Sequence, residues 1–144
     1  MEVQFREFDP FSLWIWIEFE TVPSPREQQY IDEVFSSWFY IGKLGGFNAE
    51  NLQVQETGID LSYMDYDTQE SALMAVMHNM SDVEYLGTWG RCWFDLGTSD
   101  PMAIDILINA LQQLSKDFVN INRIIFGGQN EDWETDDRQE AQFV

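Results

Sequence analysis

The chain of 144 residues has few cysteines, histidines and basic residues, and each shortage excludes a class of protein. Its single cysteine, Cys92, cannot form an intrachain disulfide, so nothing indicates an oxidising compartment and we expect a cytoplasmic location. Its single histidine, His78, excludes a metal site built on two histidines. Only 7 Lys and Arg stand against 26 Asp and Glu, which gives a formal net charge of -19. This excess of acid argues against nucleic-acid binding, which requires clustered cations.

Long apolar runs are missing as well. The apolar stretch FSLWIWIEFE at 11–20 is far shorter than the ~20 residues needed to span a bilayer, and no basic region precedes it. We therefore expect neither a membrane span nor a signal peptide. Hydrophobic residues still make up 44% of the chain, which is enough for one core.

Apolar periodicity predicts four main strands and three helices. Alternation with a period of two predicts strands at 11–20, 52–66, 83–97 and 121–126, and a weaker edge strand at 3–6. Helical spacing predicts one helix that begins after a capping box at Ser24 and a second that begins after Asp100 and Pro101. A third, short helix is predicted after Asp67, and it would extend to Met80.

This order of elements predicts an α+β fold, a ferredoxin-like split β-α-β sandwich with one extra short helix. The sheet would be mainly antiparallel, with the two long helices on one face. Residues 1–128 would form this single domain. Residues 129–144 are rich in acids and poor in apolar residues, which predicts a solvated, flexible tail.

The candidate functional residues are aromatic. If the period-two register holds, the sheet face away from the helices carries Trp14, Trp16, Trp89, Arg91 and Trp93. Aromatic side chains and Arg are typical anchors of protein interfaces, so this face is a candidate partner-binding surface. The alternative is that an additional helix or the tail folds over it.

No motif assigns a catalytic residue, a metal ligand or a cofactor. His78 has no placed partner and is interpreted as a partly exposed structural residue, while Cys92 is assigned to the core side of its strand. The acids at 130–140 lack the glycine and the spacing of a calcium loop. The glycines at 42–46 end a helix and do not precede one, unlike a phosphate-binding loop.

The stretches FDPFSLWIWIEF, LGGFNAENLQ, GIDLSYMDYD and LGTWGRCWFDLGTSDP resemble a family of short proteins of unknown function from cyanobacteria and, with transit peptides, from chloroplasts. The resemblance covers nearly the whole chain. It implies a cytoplasmic or stromal protein, and it carries no catalytic motif.

These observations favour a noncatalytic, acidic interaction or assembly domain. It would bind a partner protein with a basic or apolar surface, or a second copy of itself in a homodimer, through the aromatic face. One alternative is a small enzyme or ligand-binding domain with a carboxylate in a pocket between sheet and helices. Another is a nucleic-acid mimic, which would present carboxylates spaced like phosphates.

Overall fold

The computed structural model describes residues 1–47 and 76–135. Among these residues the fold is α+β, with a mixed sheet of six strands and two helices. In chain order the elements are β1 (Glu2–Phe5), β2 (Leu13–Phe19), α1 (Pro25–Lys43), β3 (Asn79–Met80), β4 (Glu84–Leu86), β5 (Trp89–Asp95), α2 (Met102–Asp117) and β6 (Ile121–Phe126).

The sheet has the strand order β1-β6-β2-β5-β3, and β4 also pairs with β5. The β1–β6 pair is parallel, and the other pairs are antiparallel. Both helices pack against the same face of this sheet. The main core contains aliphatic and aromatic side chains from both layers: Leu13, Ile15, Ile17, Phe19, Ile31, Phe35, Phe94, Leu107, Leu111 and Phe126.

The helix starts follow the sequence signals. Ser24 caps α1, because its side chain accepts a hydrogen bond from the Glu27 N–H while the Glu27 carboxylate accepts one from the Ser24 N–H. At α2 the Asp100 carboxylate accepts a hydrogen bond from the Met102 N–H at 2.9 Å. Neither described helix is long and apolar enough to cross a membrane.

The strand predicted at 83–97 is confirmed for Trp89–Asp95, but its extension to residue 83 as a single strand is wrong, because the segment forms a hairpin. Strands β4 and β5 are joined by Gly87 and Thr88, and Leu86 pairs with Trp89. Gly87 has a φ of 59°, which suits a tight two-residue hairpin turn and which only glycine adopts at little cost. Because of the turn, the alternation of side chains between the two sheet faces does not continue from β4 into β5. Tyr85 therefore packs on the helix side of the sheet and not beside Trp89.

The short helix predicted after Asp67 does not extend to Met80. Asn79 and Met80 form β3, where they pair with Asp95 and Phe94 of β5. Backbone bonds to β5 continue on either side, from the His78 N–H to the Asp95 carbonyl at 2.9 Å and from the Ser81 N–H to the Trp93 carbonyl at 2.8 Å. These sheet contacts override the helical spacing of the apolar residues. The strand predicted at 52–66 and the helix before residue 76 lie outside the described residues.

Candidate functional site

The five candidate residues lie together on the sheet face away from the helices, here called the tryptophan face. The antiparallel register of β2 and β5 places Trp14 opposite Trp93, Trp16 opposite Arg91, and Glu18 opposite Trp89. Trp14, Trp16 and Trp93 pack with Ile125 of β6, and Trp89 packs against their edge. Strand alternation on two neighbouring strands is what brings them together.

The inner part of the tryptophan face is buried. The exposed fraction is 0% for Trp16, 1% for Trp93, 4% for Arg91 and 7% for Trp14, whereas Trp89 is partly exposed. Two indole N–H groups have partners: that of Trp16 donates to the Gly128 carbonyl at 3.0 Å, and that of Trp93 donates to the Ser12 hydroxyl at 3.1 Å. Three of the five candidates therefore form a second, smaller core with Ile125, and Arg91 is buried beside it.

Residues 128–135, here called the C-terminal segment, lie against this face. Trp133 meets Trp16 edge-on, with ring centroids 5.9 Å apart. The Glu134 carbonyl accepts a hydrogen bond from the Arg91 guanidinium at 2.7 Å. The sequence prediction places 129–135 in the tail, and Trp133 is a functional candidate that it misses. Residues 136–144 of that tail lie outside the described residues.

Arg6 fixes the start of the C-terminal segment. Its guanidinium donates to the Gly127 and Gln129 carbonyls, at 2.9 Å each, and to the side-chain oxygen of Asn130 at 3.1 Å. Gly127 has a φ of 91°, and a Cβ there would collide with the Glu7 carbonyl. The backbone can therefore turn back over the tryptophan face at this point only with glycine.

Arg91 is the central cation of the site. Its guanidinium carbon lies 4.8 Å from the ring centroid of Trp14, 5.7 Å from that of Trp16 and 4.1 Å from that of Trp133. The Glu84 carboxylate lies 3.4 Å from its Nε. Stacking on three indoles and one ion pair compensate for the loss of water around this charge.

A cleft of about 590 Å³ opens between the hairpin turn and the C-terminal segment. The residues that line it include Trp89, Trp133, Glu131 and Asp132. Both acids are exposed, and among the described residues neither takes part in an ion pair. The cleft thus combines aromatic residues with two acidic residues that form no ion pair within the described part of the chain.

Arg123 stacks on the other aromatic wall. Its guanidinium carbon lies 5.5 Å from the Trp89 ring centroid, and the same group donates to both carboxylate oxygens of Glu18 at 3.2 Å. Each of the two indoles that line the cleft therefore already contacts one cation of the chain itself.

The other reactive side chains lie apart from the tryptophan face. Burial raises the pKa of the Cys92 thiol to about 12, so the thiol stays protonated at neutral pH. His78 lies on the far side of β5 from β2, with its Nδ1 3.3 Å from a carboxylate oxygen of Asp95. Within 1–47 and 76–135 no three His, Cys, Asp or Glu side chains form a group that could hold a metal ion.

Comparison with known proteins gives one family. Neither the curated proteins nor the solved structures include a significant match to the chain. The expected resemblance to a family of unknown function is confirmed over nearly the full length. The match over residues 1–141 shows that the chain belongs to the family described as "Protein of unknown function (DUF3531)".

Proposed function

We propose that this chain is a noncatalytic interaction domain that binds a basic segment of a partner protein at the tryptophan face. The cleft beside Trp89 and Trp133 would receive a Lys or Arg side chain of the partner. The observation that carries the proposal is the composition of this cleft of about 590 Å³, whose lining residues include two tryptophans and two acidic residues.

The cleft is suited to a cation on two grounds. Indole rings attract cations through their π faces, and in this site Trp89 and Trp133 already stack with Arg123 and Arg91. Those two arginines have carboxylate partners of their own, in Glu18 and Glu84. Glu131 and Asp132 are consequently available to a cation that comes from outside.

The five candidate residues would then have two roles. Trp89 is partly exposed and lines the cleft, so it would contact the partner directly. Trp14, Trp16, Arg91 and Trp93 are buried and would position the two cleft indoles. Rigid support of this kind lowers the entropy lost on binding.

The charge of the whole chain supports a basic partner. A net charge of -19 attracts positively charged surfaces over distances of about a Debye length, roughly 8 Å at physiological salt, and speeds their encounter. The cleft would supply the short-range contact that such a field lacks.

A titration with paired peptides tests the proposal. We expect a short peptide rich in Arg and Leu to quench the tryptophan fluorescence of the full-length protein on binding. The same peptide with citrulline in place of each Arg keeps the shape but removes the charge. We expect it to bind at least about tenfold more weakly, because it loses the cation–π and ion-pair contacts. Equal binding of the two peptides would contradict the proposal.

Variants matched in charge show whether the cleft itself binds the Arg peptide. The pair Glu131→Gln and Asp132→Asn should weaken binding of the Arg peptide by about tenfold. The control pair, Glu33→Gln and Asp117→Asn, removes the same charge from exposed positions on α1 and near the end of α2. If both double variants lost the same affinity for the Arg peptide, binding would depend on the overall negative charge of the protein. This result would overturn the cleft as the binding site.

We also propose that the fold is ferredoxin-like. The support is the order β6-β2-β5-β3, in which α2 joins β5 to β6 with β2 between them. Both β5 and β6 run antiparallel to β2, so they are parallel to each other, as in a split β-α-β unit. In this interpretation β1 and β4 are additions to the sheet.

The cellular setting is a further part of the proposal. The resemblance to cyanobacterial and chloroplast proteins favours a cytoplasmic or stromal location. Fluorescence imaging of the tagged protein in a cyanobacterium would test it, and a signal confined to membranes or to the periplasm would contradict it.

A further inference from the structure

We propose that the outer edge of β1 is a second docking site, which takes an extended, basic segment of a partner protein as an added strand. This site shares no lining residue with the cleft and does not depend on it. Its evidence is the direction of the β1 backbone, the cavity beside it and the surrounding charge.

The backbone of β1 presents hydrogen-bonding groups away from the sheet. β1 is the end strand, and the Arg6 N–H donates to the Phe126 carbonyl of β6 at 2.8 Å. Because backbone groups alternate in direction along a strand, those of Gln4 also point to β6, and those of Val3 and Phe5 point outward. In the part of the chain that the structure describes, these outward groups have no hydrogen-bond partner.

Within the described residues, no strand pairs with the outer edge of β1. Edge strands are commonly protected by short length, charged side chains, Pro, a bulge or a covering element, and β1 has the first two, with four residues and Glu2. The sequence of β1 is EVQF, without Lys or Pro, and its pairing with β6 is regular. An extended segment could therefore add to this edge by β-augmentation.

A cavity of about 520 Å³ lies next to this edge. Its apolar walls include Phe5, Phe8 and Met102, which are 57%, 43% and 42% exposed. The Phe5 ring stacks on that of Phe126, with centroids 4.9 Å apart, and Phe126 belongs to the core under the helices. The cavity is thus on the helix side of the edge, where alternate side chains of an added strand would enter it.

The charge around the cavity identifies the occupant as basic. Asp100 and Asp105 line the cavity, and Glu2, Glu7 and Asp9 lie in or near β1 in the sequence. A segment that alternates basic and apolar residues would satisfy both the acids and the apolar walls. A second copy of the chain would bring the same acids to the contact, so repulsion disfavours it as the occupant.

Hydrogen exchange of the full-length protein tests the proposal. The probe is a short, capped peptide of alternating Lys and Val. On its addition we expect the amides of Val3 and Phe5 to become protected, while those of Gln4 and Arg6, which already bond to β6, change little. A peptide with N-methyl groups on the edge that would pair cannot donate those bonds, and should bind at least about tenfold more weakly.

Variants of the cavity and the edge give an independent test. Phe8→Ala and Asp105→Asn should each weaken binding of the peptide. Val3→Pro removes one of the two outward N–H donors, so it should also weaken binding while leaving the bonds from Gln4 and Arg6 to β6 in place. Leu44→Ala and Asp117→Asn are the matched controls at exposed positions elsewhere. The pair Glu131→Gln and Asp132→Asn should leave the protection of Val3 and Phe5 unchanged, which separates this site from the cleft.

Two results would overturn the proposal. One is binding of the alternating peptide without protection of the Val3 and Phe5 amides. The other is protection that grows with protein concentration in the absence of peptide, since the occupant would then be a second copy of the chain.

Discussion

Arg91 shows at the residue scale how a buried cation is accommodated in a strongly acidic chain. Its charge is compensated by Glu84 on one side and by the π faces of Trp14, Trp16 and Trp133 on the others. A guanidinium is planar and weakly hydrated, so it can stack on several rings and still donate to the Glu134 carbonyl.

Replacement of Arg91 by Lys should therefore destabilise the protein although the charge is kept. We expect Arg91→Lys to lower the free energy of unfolding by about 2 kcal/mol, because a compact ammonium cannot stack on three indoles at once. Urea denaturation followed by circular dichroism measures this. The control is Arg123→Lys, at a partly exposed site with one indole and one carboxylate, which should cost less than about 1 kcal/mol. If both variants lost the same free energy of unfolding, stacking on three indoles would not stabilise the protein more than stacking on one.

The raised pKa of the buried Cys92 thiol predicts that the protein loses stability at alkaline pH. Burial raises the pKa of its thiol from 9.0 to about 12, and the thiol also donates to the Ser81 carbonyl at 3.3 Å. A thiol whose pKa is raised by folding stabilises the folded state fully below its unfolded pKa, and this contribution declines as pH rises from about 9 toward 12. Burial and the hydrogen bond to Asp32 also raise the pKa of the Tyr85 hydroxyl, which acts in the same direction.

We expect the free energy of unfolding to fall as pH rises from about 9 toward 12, and to fall less steeply in Cys92→Ala. Denaturation curves at several pH values measure both slopes. The comparison uses the change with pH and not the absolute stability, because the smaller side chain also leaves a cavity. Parallel slopes in the two proteins would contradict the assignment to Cys92.

At the scale of elements, the C-terminal segment completes the tryptophan face. Arg6 anchors its start, and Trp133 and Glu134 contact Arg91. The segment contributes little apolar surface apart from Trp133, so this one indole supplies most of its hydrophobic contact with the sheet.

Loss of the Trp133 ring should expose the tryptophans beneath it. We expect Trp133→Ala to shift the fluorescence emission to longer wavelength, to increase quenching by acrylamide, and to lower the free energy of unfolding by about 1–2 kcal/mol. The matched control is Trp133→Phe, which removes the same fluorophore but keeps an aromatic ring over Arg91. If the two variants have the same spectrum and stability, the ring does not cover the face.

The sequence predicts an element correctly where one periodic signal dominates. The capping box at Ser24 and the alternation in Leu13–Phe19 are of this kind, and α1 and β2 form as expected. The hairpin is missed because Gly87 and Thr88 interrupt two strands that together look like one alternating run. Asn79 and Met80 are misassigned because pairing with β5 decides their conformation, and this partner is distant in sequence.

The candidate site is predictable only in part, for a related reason. Period-two alternation places Trp14, Trp16, Arg91 and Trp93 on one face without knowledge of their neighbours. The contact of Trp133 with that face depends on Arg91 and on the turn at Gly127, and nothing local in the acidic sequence around Trp133 indicates it.

At the scale of the whole molecule, the net charge of -19 opposes the compact state. We expect sodium chloride to raise the melting temperature at neutral pH, because salt screens the repulsion between exposed acids. The corresponding increase in the free energy of unfolding should be on the order of 1 kcal/mol. Thermal melts over a range of salt concentrations measure it. The variant Glu33→Gln/Asp105→Asn/Asp117→Asn carries less charge and should depend less on salt. A melting temperature that falls with added salt would contradict this account.

The parallel pairing of β1 with β6 has a consequence for the order of folding. Arg6 contacts Gly127, 121 positions away along the chain, so this edge closes one of the longest loops in the protein. Contacts of such large sequence separation form slowly, because the entropy of loop closure is lost before any bond compensates for it. On the ribosome, which adds roughly 5–20 residues per second, β1 therefore waits for β6 to be synthesised before it acquires its partner. Until then β1 lacks β6, the strand with which it pairs in the described sheet, and its backbone stays accessible to a chaperone.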